Sequence, residues 1–151
     1  MRLIKSSDVQ RLTGLTADQL REWTARRGII EPDSKPSGPG TRARYAWQTV
    51  LLLRLAVVLR ETFHIELQSQ RSLFTGLAAR LAKVSFPSLR GRVLVLRADG
   101  TYDVAEIGGM QPLDRDAVIV HLDPHLDVLS AGFGFAEPIR QLPLFPAVAI
   151  R

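Results

Sequence analysis

Between Ser7 and Tyr45 the chain lays down two helix starts nine residues apart and then a stretch in which no helix can form. Ser7-Asp8-Val9-Gln10 and Thr16-Ala17-Asp18-Gln19 both have the S/T-x-x-Q form of a capping box, in which hydroxyl and amide each satisfy an orphan backbone N–H. Between them lies Thr13-Gly14-Leu15, with glycine where a helix C-terminus wants positive φ. The pattern predicts one helix from about Asp8 to Thr13, a tight turn, and a second from about Ala17 to Arg27, ended by Gly28. Val9 and Leu12 give the first an apolar face, preceded by Leu3 and Ile4. In the second, Leu20 and Trp23 form the inner pair at i, i+3, so Trp23 reads as core packing. Asp18, Arg21, Glu22, Ala25 and Arg26 remain on the outer side.

Ile29-Ile30 reads as a short strand. Glu31 to Arg44 holds Pro32, Pro36, Gly38, Pro39 and Gly40, which makes it a loop or hairpin tipped by Ser37-Gly38-Pro39-Gly40, with Thr41 to Tyr45 returning as a strand. A basic hairpin beside two such helices is a wing, from which Lys35, Arg42 and Arg44 would reach phosphates or the minor groove. A third helix from about Trp47 to Thr62 is apolar nearly all round, which suggests that a second domain or subunit covers it. A fourth follows from about Glu66 to Lys83, with Leu73, Leu77 and Leu81 in one stripe. Pro87 marks a boundary, after which the period changes from helical to alternating. Val93 to Leu96 and Tyr102 to Ile107 flank Ala98-Asp99-Gly100, a hairpin signal, and Val118 to Leu122 is another strand. Asp127 to Ser130 fits a strand or one helical turn. The proline-punctuated tail from Pro138 to Arg151 reads as extended, able to dock on a partner or pack on its own domain. The expected fold class is α+β: a winged helix-turn-helix with extra helices over residues 1–86, then a small β-rich, hairpin-containing domain over 87–151.

Charge divides along the same line. Residues 1–90 hold 15 Lys/Arg against 7 Asp/Glu, a balance of +8, whereas residues 91–151 carry −3. A basic module with a mildly acidic companion is what binding to a phosphate backbone would produce. With no cysteine there is neither a disulfide framework nor a thiolate metal site, which suits a cytoplasmic protein. The first residues lack a long apolar core with a cleavage site, so no signal peptide is expected. The run from Val50 to Leu59 is interrupted by Arg54 and is too short to span a bilayer, so no membrane role is expected.

The order helix-turn-helix, basic hairpin, apolar helix resembles the N-terminal winged helix-turn-helix domain of MerR-type transcriptional regulators. The matching residues are Asp8-Val9, Thr13-Gly14-Leu15-Thr16, Gln19-Leu20-Arg21, Trp23 and Arg27-Gly28-Ile29-Ile30, followed by Gly40, Arg42, Arg44 and Tyr45. They cover about residues 1–70. The resemblance implies double-stranded DNA as partner, the second helix in the major groove, and a homodimer on a two-fold site. Carried over by position, it makes Thr16, Arg21, Arg42, Arg44 and Tyr45 phosphate contacts, and it brings Ala17, Asp18 and Glu22 near base edges. For Tyr45 a purely local hydrogen-bond role is the alternative. The chain departs from the family pattern at three places. One extra residue lies between Trp23 and Gly28, Ala46 stands where a capping residue usually follows the wing tyrosine, and no long dimerisation helix follows Lys83. The C-terminal part resembles no family and is left open as a dimerisation, partner or effector region.

Other chemistry is thin. His121, Asp123, His125 and Asp127 would share a face of one continuous strand and could ligate zinc or manganese, but Pro124 breaks such a strand, and a polar turn is the simpler reading. Asp114, Asp116 and Asp123 have no nucleophile elbow or phosphate loop beside them, and Ala131 to Phe135 lacks a strand-glycine-helix context. No enzyme activity, cofactor or metal is expected. The competing functions are a DNA-binding adaptor outside transcription, of excisionase or packaging type, and a winged helix that binds protein.

Overall fold

The computed structural model describes residues 1–109 and 115–136 of the 151. It is a mixed helical and sheet fold. A strand β1 (Ile4–Lys5) leads directly into α1 (Ser6–Thr13), and α2 (Ala17–Arg21) continues into a π-helical turn over Glu22–Arg26. After a long loop come β2 (Arg44–Tyr45), α3 (Trp47–Glu61) and α4 (Arg71–Leu81), then β3 (Arg92–Arg97), β4 (Tyr102–Glu106), β5 (Ala117–His121) and α5 (Asp123–Phe133).

The capping signals met different fates. Thr16 forms the full capping box: its hydroxyl accepts from the Gln19 N–H at 3.1 Å, and the Gln19 amide oxygen accepts from the Thr16 N–H at 3.0 Å. Ser7 does not, because α1 already begins at Ser6, with Lys5 in the cap position and no side-chain cap bond. The β1 pairing with β2 (Ile4↔Tyr45, Lys5↔Arg44) fixes the chain up to Lys5 and thereby advances the helix start. Gly14 ends α1 at φ 76° with its N–H on the Gln10 carbonyl, as glycine at that position implies. The expected strand at Ile29-Ile30 is absent. Both side chains are buried, and both N–H groups return to the Trp23 carbonyl instead of to a neighbouring strand.

Nine of the fifteen α3 residues are buried, and its cover comes from α1, α4 and α5 of the same chain. The continuous helix expected from Glu66 to Lys83 is divided. Leu67–Gln70 is a 3₁₀ turn, and α4 proper spans Arg71–Leu81. The sheet is antiparallel in the order β4-β3-β5, with Leu94↔Val104 and Leu94↔Val120 in register. Its Leu94, Leu96 and Val120 join the hydrophobic cluster that starts at Ile4 and runs to Phe133.

The largest departure from the sequence reading is at Asp123–Phe133. Residues expected as a polar turn followed by a strand or single turn form the three-turn helix α5. Pro124 stands in its first turn, where its missing N–H costs nothing, and Gly134 closes it at φ 67°. His125, Leu126, Leu129 and Phe133 repeat at i, i+1, i+4 and i+8 and are all buried. Phe133, Phe135, Phe86 and Trp47 then follow one another in a chain of ring contacts with centroids 4.9–5.6 Å apart, stacked at Phe133–Phe135 and edge-to-face at Phe86–Trp47. Residues on both sides of Pro87 therefore share one core. The expected tail conformation from Pro138 to Arg151, and Asp114, lie outside the described residues.

Candidate nucleic-acid interface

The capping box leaves the first turn of α2 projecting, with Thr16, Ala17, Asp18 and Arg21 all exposed. Leu20 and Trp23 anchor the other side in the core at 3% and 4% exposure. Beyond Arg21 the helix widens. The Arg27 N–H bonds to the Glu22 carbonyl at 2.8 Å, five residues back, so Glu22–Arg26 is a π turn. A π turn takes up one residue more than an α turn would, so the chain between Trp23 and Gly28 is wider than a regular helix. The turn is held from outside by Arg71 of α4, whose guanidinium donates to the Arg27 and Gly28 carbonyls.

The loop after Gly28 is ordered by two side chains that the sequence did not single out. At the tip, the Thr41 hydroxyl accepts from the Ser37 and Gly38 N–H groups at 2.8 and 2.9 Å and donates to the Gly38 carbonyl at 2.6 Å. At the base, the Asp33 carboxylate accepts the Ala46 N–H at 2.7 Å. Ala46 is the cap residue of α3 and has no capping side chain of its own. Asp33 does from thirteen residues away what a local capping partner would do. Its only sequence signal was an aspartate next to a proline at the loop entrance. The loop closes through a bridge between Ser34 and Arg44, and Arg44 lies in β2 beside Lys5.

A groove of about 1040 Å³ runs between this loop and the helices. Ala17 and Arg21 line it from α2, Lys35 and Arg42 from the loop, and Tyr45 from β2. Five of the nine residues singled out from the sequence thus come together. Tyr45 is only 2% exposed, so its ring belongs to the core. Asp18 and Glu22 lie on the other flank of α2, around a smaller depression of about 360 Å³ shared with Trp23, Arg26, Arg27 and Arg60. The Arg60 guanidinium sits over the Trp23 ring at 5.5 Å.

The charges differ in how far they are already spent. Glu22 takes hydrogen bonds from Arg27 at 2.9 Å and Arg26 at 3.4 Å, and the Arg27 bond is the main cause holding its carboxyl below the usual range. Lys35 meets Glu31 at 3.2 Å in an exposed pair of the kind worth little. Among the described residues Arg42 and Arg44 have no side-chain hydrogen bond or ion pair, and both are exposed.

The four potential metal ligands near β5 are dispersed. His121 ends β5 exposed, Asp123 caps the Gly91 N–H at 3.1 Å, Asp127 pairs with Arg90, and His125 is buried. Among the described residues no group of three or more His, Asp or Glu is placed to hold a metal ion. No described helix is long and apolar enough to cross a membrane. No family model and no curated protein matches the chain.

Proposed function

We propose that the chain is a sequence-specific DNA-binding protein whose N-terminal helices and loop act as a winged helix-turn-helix. In this reading α2 enters the major groove and the loop from Glu31 to Arg44 is the wing. The sugar–phosphate strand between them lies along the groove that Lys35 and Arg42 line from the loop. The carrying observation is the pair Arg42 and Arg44. They are exposed guanidiniums, free of ion pairs among the described residues, on a loop that Thr41 and Asp33 hold in one shape. Two exposed guanidiniums on an ordered loop, uncompensated among the described residues, with Arg42 on the groove beside α2, suit a polyanion of regular geometry. One such module buries too little surface for a specific site, so two copies on a two-fold operator complete the reading. The output, control of transcription, follows from the resemblance to MerR-type regulators, since DNA binding alone does not define it.

The test is selection of genomic fragments by the purified protein, with affinity followed against salt. An inverted repeat bound with a steep salt slope is the expected result. Arg42→Ala with Arg44→Ala should flatten the slope of log K against log salt by about 2 and weaken all sequences alike. An unchanged affinity would sink the proposal and favour a protein-binding winged helix. Footprints remote from promoters would favour an adaptor outside transcription.

A further inference from the structure

The outer face of α2 carries two acid–base pairs, and they are not equivalent. Glu22 is clasped by two arginines at the edge of a depression, with its side chain one-third exposed. Asp18 and Arg21 form a pair at 3.0 Å through Oδ1 and Nη2, with side chains 81% and 64% exposed. Both stand in the projecting first turn of α2, beside Ala17 and Thr16, whose small side chains do not screen them. A carboxylate there is repelled by every phosphate that the wing attracts. It is tolerable at a DNA surface only if it meets a donor, and among base edges in the major groove donors are the amino groups of cytosine and adenine.

We propose, on the basis of the DNA-binding reading above, that the Asp18–Arg21 pair reads one C·G base pair. The geometry of the pair is the complement of that edge. In the major groove, the cytosine N4 amino group lies next to the guanine O6 and N7 acceptors. Asp18, with Oδ1 committed to Arg21, offers Oδ2 to the cytosine amino group. Arg21, with one N–H on Asp18, offers its remaining guanidinium donors to guanine. The ion pair presents carboxylate and guanidinium side by side, as acceptor and donor of one unit. Adenine next to thymine does not fit as well, since the thymine methyl group meets Arg21 where guanine would present an acceptor.

Site selection with the wild type, Asp18→Ala, Asp18→Asn and Arg21→Ala tests this. Both side chains are exposed, so the variants should melt like the wild type, and melting curves check it. The wild type should show one position per half-site where C·G is preferred. Asp18→Ala should cut that preference about tenfold at that position alone, without lowering affinity for random DNA. Asp18→Asn, which can donate as well as accept, should move the preference toward A·T. Arg21→Ala should lose the same position. If the wild type selects a site and the Asp18 variants leave every position unchanged, the base-pair assignment is overturned and the DNA-binding reading stands. Arg21→Ala weakening all sequences equally would make Arg21 a phosphate contact and also overturn the assignment. If the wild type selects no site, the DNA-binding reading itself fails, and the assignment falls with it.

Discussion

Thr16 shows how a single residue ties sequence to site. Its hydroxyl and the Gln19 amide close the capping box that fixes where α2 begins, and so which residues project. Thr16→Ala should destabilise the fold by about 1 kcal/mol in urea melts. It should also weaken specific DNA binding, because a frayed first turn no longer presents Asp18 and Arg21 together. Tyr45 separates structure from function differently. Its ring is buried while the residue lines the groove, so Tyr45→Ala should cost about 3 kcal/mol or more. Tyr45→Phe should keep the melting temperature and lose a few-fold in DNA affinity if the hydroxyl serves a phosphate. An unchanged affinity would leave Tyr45 a core residue only. At this scale the exposed candidates were legible, because residue type and helical phase decide which side chains point outward. Asp33, Thr41 and Arg71 were not legible, because each bonds backbone groups brought near by the fold or the loop shape, and no spacing rule announces them.

Elements whose signals are local came through. The turn at Gly14, the second capping box and the hairpin β3–β4 all depend on residues within a few positions of each other, and each stands where the sequence placed it. The π turn had no local signal, since the stretch from Ala17 to Arg27 reads as one regular helix and nothing nearby says where a helix widens. α5 was missed because His121 to Asp127 alternates polar and apolar residues, a strand-like pattern, and its proline suggested a break. The proline fell in the first turn, where it helps, and the apolar repeat became useful once α1 and α3 offered a surface. The α1–α5 contact is close: a Cβ on Gly132 would come within 2.6 Å of the Leu12 side chain. Gly132→Ala gains helix propensity and loses packing, so its own effect is small. In a Leu12→Ala background the clash is gone and the same change should stabilise. The double-mutant cycle should give a coupling of about 1 kcal/mol or more, and no coupling would mean that the helices are further apart than described.

The molecule as a whole ties the C-terminal part to the N-terminal helices through α3. Arg54 on α3 donates to the Leu12 carbonyl at the end of α1 and, at 3.0 Å, to Nδ1 of His125 on α5. Burial first, and the Arg54 charge second, push His125 down to about 4. The unfolded chain protonates near 6.5, so stability from this group is full above that value and is lost as pH falls through about 4. Urea melts should show a loss on the order of 2 kcal/mol between pH 7 and pH 4 that His125→Asn, which keeps an acceptor for Arg54, removes. Equal pH profiles for the two proteins would mean that His125 is solvated. The sequence by itself determined the mixed class, the placing of the early turns and caps, the basic bias of the first 90 residues, and which side chains of the second helix face out. These follow from backbone preference, period and charge, which act over a few residues. Only the tertiary structure decided that Arg42 and Arg44 have no ion pair among the described residues while Lys35, Arg21 and Glu22 are paired, that α3 is covered from within its own chain, and that the histidine of a polar-looking segment sits buried against an arginine. Those are outcomes of packing between residues far apart in the chain, where burial and desolvation outweigh local preference.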